Sequence, residues 1–139
     1  RGYATRAMRD LCRLLLDRDS KVRFALGQTD PKPFYGAADA FVLPTLYDPF
    51  PNTALEAFAC GLPVITSTKS GAAELVREEE NGFVCDALDQ KALAAAMLKL
   101  SNQAIRLQLG AAARETVAHL SPEKMARQLL DLYRELSRQ

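Results

Sequence analysis

The sequence predicts an α/β fold: a doubly wound parallel sheet with helices on both faces, followed by C-terminal helices. Short apolar runs alternate along the chain with segments of helical spacing, a pattern typical of βαβ units. The runs are apolar throughout rather than every second residue, as expected for strands that are buried on both faces. No internal repeat or low-complexity run interrupts the pattern, so residues 1–139 are predicted to form one domain.

The first part of the chain begins with a helix. Residues 4–18 place apolar side chains at helical spacing and arginines on the other side, which predicts an amphipathic helix. A short strand is expected over residues 22–26. A short helix opened by prolines follows over residues 31–38. Residues 40–43 form the next predicted strand, which a proline stops.

The second part of the chain alternates in the same way and then ends in helices. Asn52 or Thr53 is expected to cap a helix that runs to Cys60, with Gly61 as its C-terminal stop. The dipeptide Ser121-Pro122 is a good start for the last helix. The other predicted elements are strands over residues 63–66 and 82–85 and helices over residues 72–77, 89–100, 103–118 and 122–137.

Composition favours a globular protein with its own core. Apolar residues make up 48% of the chain and charged residues 25%, which argues against disorder. The sequence contains no run of ~20 apolar residues, so no membrane-spanning helix is predicted. Cys12, Cys60 and Cys85 are widely spaced among apolar neighbours, so we expect buried, reduced thiols in a cytoplasmic setting. The only histidine, His119, has no partner at ligand spacing, so no metal site is predicted.

The net charge of +1 is unevenly distributed. Residues 1–35 contain eight Lys and Arg against four Asp and Glu, whereas the remainder contains ten against thirteen. This asymmetry is too mild to indicate nucleic acid as a partner. It would suit peripheral association with an anionic membrane surface, at the inner face of the cytoplasmic membrane. A solvated helix face is the more ordinary interpretation.

Two loops are the candidates for a binding site, because ligands of such folds bind beyond the carboxyl ends of the strands. Residues 44–52 and 67–71 each follow a strand and lead into a helix N-terminus, which suits phosphate. Lys69 could meet such a phosphate, although a lone loop lysine is more often only solvated.

Two carboxylates bracket the start of the helix at Asn52. Glu56 is the only charged residue between Ala54 and Cys60. It is either a ligand for sugar hydroxyls or an exposed residue at the domain rim, and spacing alone does not separate the two. Asp48 could bind further hydroxyls, but an Asp-Pro turn is the simpler account of it. The sequence has no dinucleotide-binding Gly-x-Gly-x-x-Gly after a strand and no P-loop.

The segment from Asp48 to Val76, DPFPNTALEAFACGLPVITSTKSGAAELV, resembles the signature of glycosyltransferase family 4. The preceding FYGAADAFVLPT, from Phe34 to Thr45, and the later NGFV from Asn81 are also similar to this family. The family pattern is an acidic residue, seven residues, Glu-Ala, Gly-Leu-Pro-Val and a glycine-containing segment that ends in Glu. The variant resembles lipopolysaccharide-core glucosyltransferases.

The resemblance implies a GT-B enzyme with two Rossmann-like domains that face a cleft, of which this chain is the C-terminal, donor-binding one. It implies transfer with retention of configuration from a nucleotide-diphosphate sugar, a UDP-sugar favoured, to a bacterial glycan or lipid-linked acceptor, without a metal or other cofactor. Glu56 would hold the ribose hydroxyls and Asp48 the donor sugar. The other donor-binding residues implied are Gly27 and Gln28 near the base, and Phe50, Pro51, Asn52, Thr53, Lys69 and Gly71.

The chain departs from the family pattern in two ways. Asp48 replaces a usual glutamate, and Pro49-Phe50-Pro51 replaces Gly-Phe-Gly, which removes backbone N–H groups. The basic pair that neutralises the leaving diphosphate, and the acceptor domain, would precede Arg1. We therefore expect a fragment that lacks its first strand and helix, binds UDP or GDP weakly and transfers no sugar. A non-catalytic nucleotide-sugar-binding or scaffolding module, or a sugar-nucleotide epimerase of GT-B shape, are the alternatives.

Overall fold

The computed structural model describes residues 30–138. The helix predicted over residues 4–18, the strand over residues 22–26, Gly27, Gln28 and Cys12 lie outside the described residues. Residues Lys32–Gln139 form one compact unit. Its elements are α1 (Lys32–Ala37), β1 (Phe41–Leu43), α2 (Asn52–Ala59), β2 (Val64–Ser67), a 3-10 helix (Gly71–Leu75), β3 (Gly82–Cys85), α3 (Gln90–Lys99), α4 (Gln103–Val117) and α5 (Pro122–Leu136).

The three described strands form a parallel sheet in the order β1-β2-β3, as the sequence predicts. Phe41 pairs with Val64, and Val64 pairs in turn with Gly82. In the central strand Val64 and Ile65 are buried, as expected. Phe41 and Val42, which belong to an apolar run expected to be buried on both faces, are only partly buried. Within the described sheet β1 is an edge strand, which leaves one side of it without a neighbour.

Helices cover both faces of the sheet. Successive strand residues point to opposite faces, so two neighbouring residues of β2 show what covers each face. Val64 packs into a core cluster with Ala57 and Phe58 of α2 and with Ala113 of α4. The next residue, Ile65, belongs to a second cluster; its other buried members are Phe83, Cys85, Ala96, Leu100 and Leu109. The doubly wound arrangement that the apolar strands predict is confirmed.

The α2 helix ends as predicted and begins differently. Gly61 follows the C-cap with φ +76°, a conformation that glycine adopts without strain. At the other end neither Asn52 nor Thr53 is the cap. The N-cap is Pro51, whose extended backbone leads into the helix without a side-chain hydrogen bond. Its carbonyl accepts the N–H of Ala54 at 3.1 Å, so the first turn closes on the backbone alone.

Two further expectations are wrong in detail. The segment 72–77 is a 3-10 helix over Gly71–Leu75, because Val76 already has an extended backbone. Cys60, expected to be buried, is exposed because it lies at the C-cap of α2, whereas Cys85 is buried in β3. The three C-terminal helices have the predicted positions, and Ser121 caps the last one by accepting the N–H of Lys124. Within residues 30–138, no helix is long and apolar enough to cross a membrane.

Candidate functional site

The two candidate loops lie side by side at the carboxyl ends of β1 and β2. The Asp48 N–H donates to the carbonyl of Lys69 at 3.2 Å, and the Gly71 N–H donates to the carbonyl of Asp48 at 2.9 Å. Asp48 and Ser70 thereby form a parallel bridge that continues the pairing of the strands. The structure therefore fixes the backbone of one predicted site residue, Asp48, against the loop that contains two others.

Gly71 is required by this contact between the loops. A Cβ atom at Gly71 would lie 1.8 Å from the carbonyl oxygen of Pro49, so any larger residue would force the loops apart. The same Cβ would come within 3.1 Å of the Phe50 ring. Loop packing thus accounts for this glycine, and its contact with a donor stays a prediction.

Hydroxyl groups at the end of β2 also hold the loop that follows β1, and sequence analysis missed them. Thr66 Oγ1 donates to the carbonyl of Leu43 at 3.3 Å, and Ser67 Oγ donates to the carbonyl of Thr45. Thr66 and Ser67 are fully buried. The sequence does contain a signal for this contact, which is a pair of hydroxyl residues at the end of an otherwise apolar strand. Because buried polar groups need hydrogen-bond partners, such a pair indicates a contact with a neighbouring segment.

The side chain of Asp48 is not committed to a partner. It is half-buried, and its carboxylate makes no hydrogen bond or ion pair with any residue in the described part of the chain. The Lys69 side chain is exposed and equally unpaired over residues 30–138. The site thus combines a fixed backbone with a carboxylate and an ammonium group that are available to a ligand.

Glu56 lies in the second turn of α2 and is exposed. The buried face of α2 consists of Ala54, Ala57 and Phe58, and Glu56 is not part of it. Exposure at the rim is its actual setting, and its role toward a ligand stays a prediction. Asn52 and Thr53, in the first turn of the same helix, are also exposed.

Tyr35 is the nearest polar partner of Glu56. The ring is buried in α1, and its hydroxyl donates to Glu56 Oε2 at 2.8 Å and lies 3.4 Å from the carbonyl oxygen of Thr53. Burial, together with the hydrogen bond and charge of Glu56, raises the pKa of Tyr35 to about 12. Tyr35 lies within the segment from Phe34 that resembles the family, yet sequence analysis assigned it no role.

A cavity of about 590 Å³ lies beside the start of α2. Asn52 and Leu55 line it together with residues 119–122 and with Lys124, Met125 and Gln128 of α5. A larger cavity of about 770 Å³ lies between α1, the end of α2 and α4. Asp48 and Glu56 do not line either of these two cavities. Phe50 is exposed, whereas Pro51 is buried.

Comparison with known proteins shows a family match that includes both candidate loops. A family model described as "Glycosyl transferases group 1" matches residues 2–103. The lipopolysaccharide core biosynthesis glycosyltransferase LpsE of Rhizobium meliloti is 34% identical over 98 residues, which cover 70% of this chain and 29% of that protein. The chain therefore spans under a third of the length of this curated relative.

Solved structures agree with the fold. Sucrose-phosphate synthase from Thermosynechococcus elongatus superposes with a TM-score of 0.83 at 36% identity, over 96% of this chain and 34% of that one. Anabaena HepE, solved in complex with UDP, gives a TM-score of 0.77 at 24% identity, over 96% of this chain and 37% of that one. The chain thus has the fold of one domain of a GT-B glycosyltransferase.

Proposed function

Since the chain belongs to the group 1 glycosyl transferases, we propose that it is the C-terminal, donor-binding domain of a retaining glycosyltransferase of the family 4 type. It binds a nucleotide-diphosphate sugar, a UDP-sugar first of all. The protein that contains it transfers the sugar to a bacterial glycan or lipopolysaccharide acceptor. The observation that carries this proposal is the bonded pair of loops, which fixes the backbone at Asp48 while leaving its carboxylate free for a ligand.

The proposed roles follow the order of groups in the donor. Glu56 accepts hydrogen bonds from the ribose hydroxyls, and Asp48 binds hydroxyls of the transferred sugar. The diphosphate lies at the start of α2, where helix N–H groups and the exposed Lys69 favour negative charge. Stabilisation of the leaving nucleotide is then electrostatic, without a metal, and positioning supplies much of the remainder.

The rest of the enzyme is proposed to lie in a longer protein. The match to LpsE covers 29% of that relative's length, which leaves room for an acceptor-binding domain and for the basic groups that neutralise the leaving diphosphate. Residues 1–139 alone are proposed to transfer no sugar. We place the protein in the cytoplasm, at the inner face of the membrane, in keeping with relatives that are named for lipopolysaccharide core biosynthesis.

The proposal is tested by titrating UDP and GDP calorimetrically into the full-length protein and into its Glu56→Gln variant. An amide offers one accepting oxygen where a carboxylate offers two, so we expect roughly tenfold to hundredfold weaker binding of the preferred nucleotide. Asp48→Asn should lower turnover and leave nucleotide affinity nearly unchanged, because its partner is the sugar. Glu115→Gln, on the exposed side of α4, is the matched control.

Unchanged binding by Glu56→Gln would refute the ribose role and leave Glu56 as a rim residue. Nucleotide binding without any sugar transfer by the full-length protein would instead favour a non-catalytic binding module.

A further inference from the structure

One buried side chain restrains the exposed carboxylate of α2. The Tyr35 ring packs in the core cluster of α1, α2 and β2, with its centroid 6.0 Å from that of Phe41 and the planes inclined at 55°. Packing on this scale fixes the position of the ring. Its hydroxyl reaches the surface only far enough to donate to Glu56 Oε2, at 2.8 Å. A rigid donor thus meets a long and otherwise mobile acceptor.

We propose that Tyr35 is a positioning residue for nucleotide binding: it holds the Glu56 carboxylate in place to receive the two ribose hydroxyls of the donor. The proposal rests on the ribose role of Glu56 in the proposed function. It adds a residue that does not touch the ligand and acts through Glu56.

The hydroxyl of Tyr35 is a permanent donor. Burial and the neighbouring Glu56 raise its pKa to about 12, so the proton stays on the oxygen throughout the range in which the protein would be assayed. The Tyr35 hydroxyl therefore keeps the proton that it donates to Glu56 Oε2, and their 2.8 Å separation is that of an ordinary O–H···O hydrogen bond.

The arrangement leaves the right number of acceptor sites free. A carboxylate has about four lone-pair sites on its two oxygens, and Tyr35 occupies one of them on Oε2. Oε1 has no protein partner among residues 30–138. An unrestrained glutamate loses side-chain freedom when it binds a ligand. Because Tyr35 has already restricted Glu56, less freedom is lost on binding, and affinity rises by pre-organisation.

The test uses Tyr35→Phe in the full-length protein, because this change keeps the buried ring and removes only the hydroxyl. Two probes are titrated: UDP, or GDP if it binds better, and the same nucleotide without its 2′ and 3′ hydroxyls. We expect the variant to bind the intact nucleotide roughly threefold to tenfold more weakly. It should bind the dideoxy nucleotide as tightly as the unmodified protein does.

A structural role would give a different result, because local damage weakens both probes. Equal losses for the two nucleotides, or a Tyr35→Phe protein that does not fold by circular dichroism, would overturn the proposal. In the Glu56→Gln background Tyr35→Phe should cause no further loss, since coupled residues are non-additive. Tyr133→Phe, at an exposed position of α5, is the matched control and should change neither affinity.

The two levels of the argument fail separately. If Glu56→Gln binds the intact nucleotide normally, the ribose role of Glu56 is wrong, and the positioning role of Tyr35, which depends on it, is wrong as well. If Glu56→Gln weakens binding but Tyr35→Phe does not, only the positioning role is wrong.

Discussion

Helices α2 and α5 each carry an apolar side, but they are stabilised in different ways. In α2, Ala54, Ala57 and Phe58 are fully buried against the sheet and α4, and no side chain caps the N-terminus. In α5 none of the fifteen residues is buried, although the helix carries Met125 and several other large apolar side chains. Amphipathic spacing thus predicts a helix in both places without predicting what, if anything, covers it.

Local interactions are correspondingly richer in α5. Ser121 Oγ accepts the N–H of Lys124 at 3.2 Å, and Pro122 fills the first turn. Hydrogen bonds from its own backbone N–H and from Ser121 lower the pKa of Glu123 in the same turn. A helix that buries no side chain depends more on such end effects, whereas packing makes them dispensable in a buried helix. Three sets of substitutions test this contrast.

The largest effect is expected in the core of α2. Phe58→Ala removes a fully buried ring and leaves a cavity, so the free energy of unfolding should fall by about 3–5 kcal/mol. Urea unfolding followed by circular dichroism measures this loss. Phe34→Ala in α1, where the ring is 48% exposed, should cost about 1 kcal/mol or less. Comparable losses at the two positions would mean that α2 is not the packed helix described here.

An intermediate effect is expected at the start of α5. Ser121→Ala removes the capping oxygen and should destabilise the first turn by about 1 kcal/mol, whereas Ser121→Thr should retain most of the cap. Amide hydrogen exchange of residues 122–125 measures this local opening. The corresponding change in α2, Asn52→Ala, should alter stability by no more than about 0.5 kcal/mol because Asn52 makes no cap. A larger loss at Asn52 would restore the cap that the sequence predicts.

The smallest effect is expected on the apolar side of α5. Leu132 is 48% exposed, so both Leu132→Ala and Leu132→Lys should change the free energy of unfolding of this chain by no more than about 0.5 kcal/mol. The two variants are compared because a charge would be tolerated only on a solvated face. A lysine variant much less stable than the alanine variant would show that this side of α5 is packed.

The candidate site was predicted in part, and the reasons differ from residue to residue. The loops containing Asp48 and Gly71 could be placed together because both follow strands of one parallel sheet, whose carboxyl ends share an edge. The cap of α2 was misassigned because Asn and Thr are the usual N-cap residues, whereas here the N-cap is Pro51 and no side chain makes the capping hydrogen bond. Glu56 was placed on the correct helix, but its exposure depends on which face of α2 meets the core.

The sequence by itself determined the features that short-range spacing encodes: apolar runs that become parallel strands, Gly61 as a helix stop and Ser121 as a cap. Tertiary structure alone decided the contacts between distant residues. The Tyr35–Glu56 hydrogen bond joins positions 21 residues apart, and the bridge from Asp48 to Ser70 depends on how two loops approach. Local periodicity has no information on such pairs, because they form only after the sheet and its helices have packed.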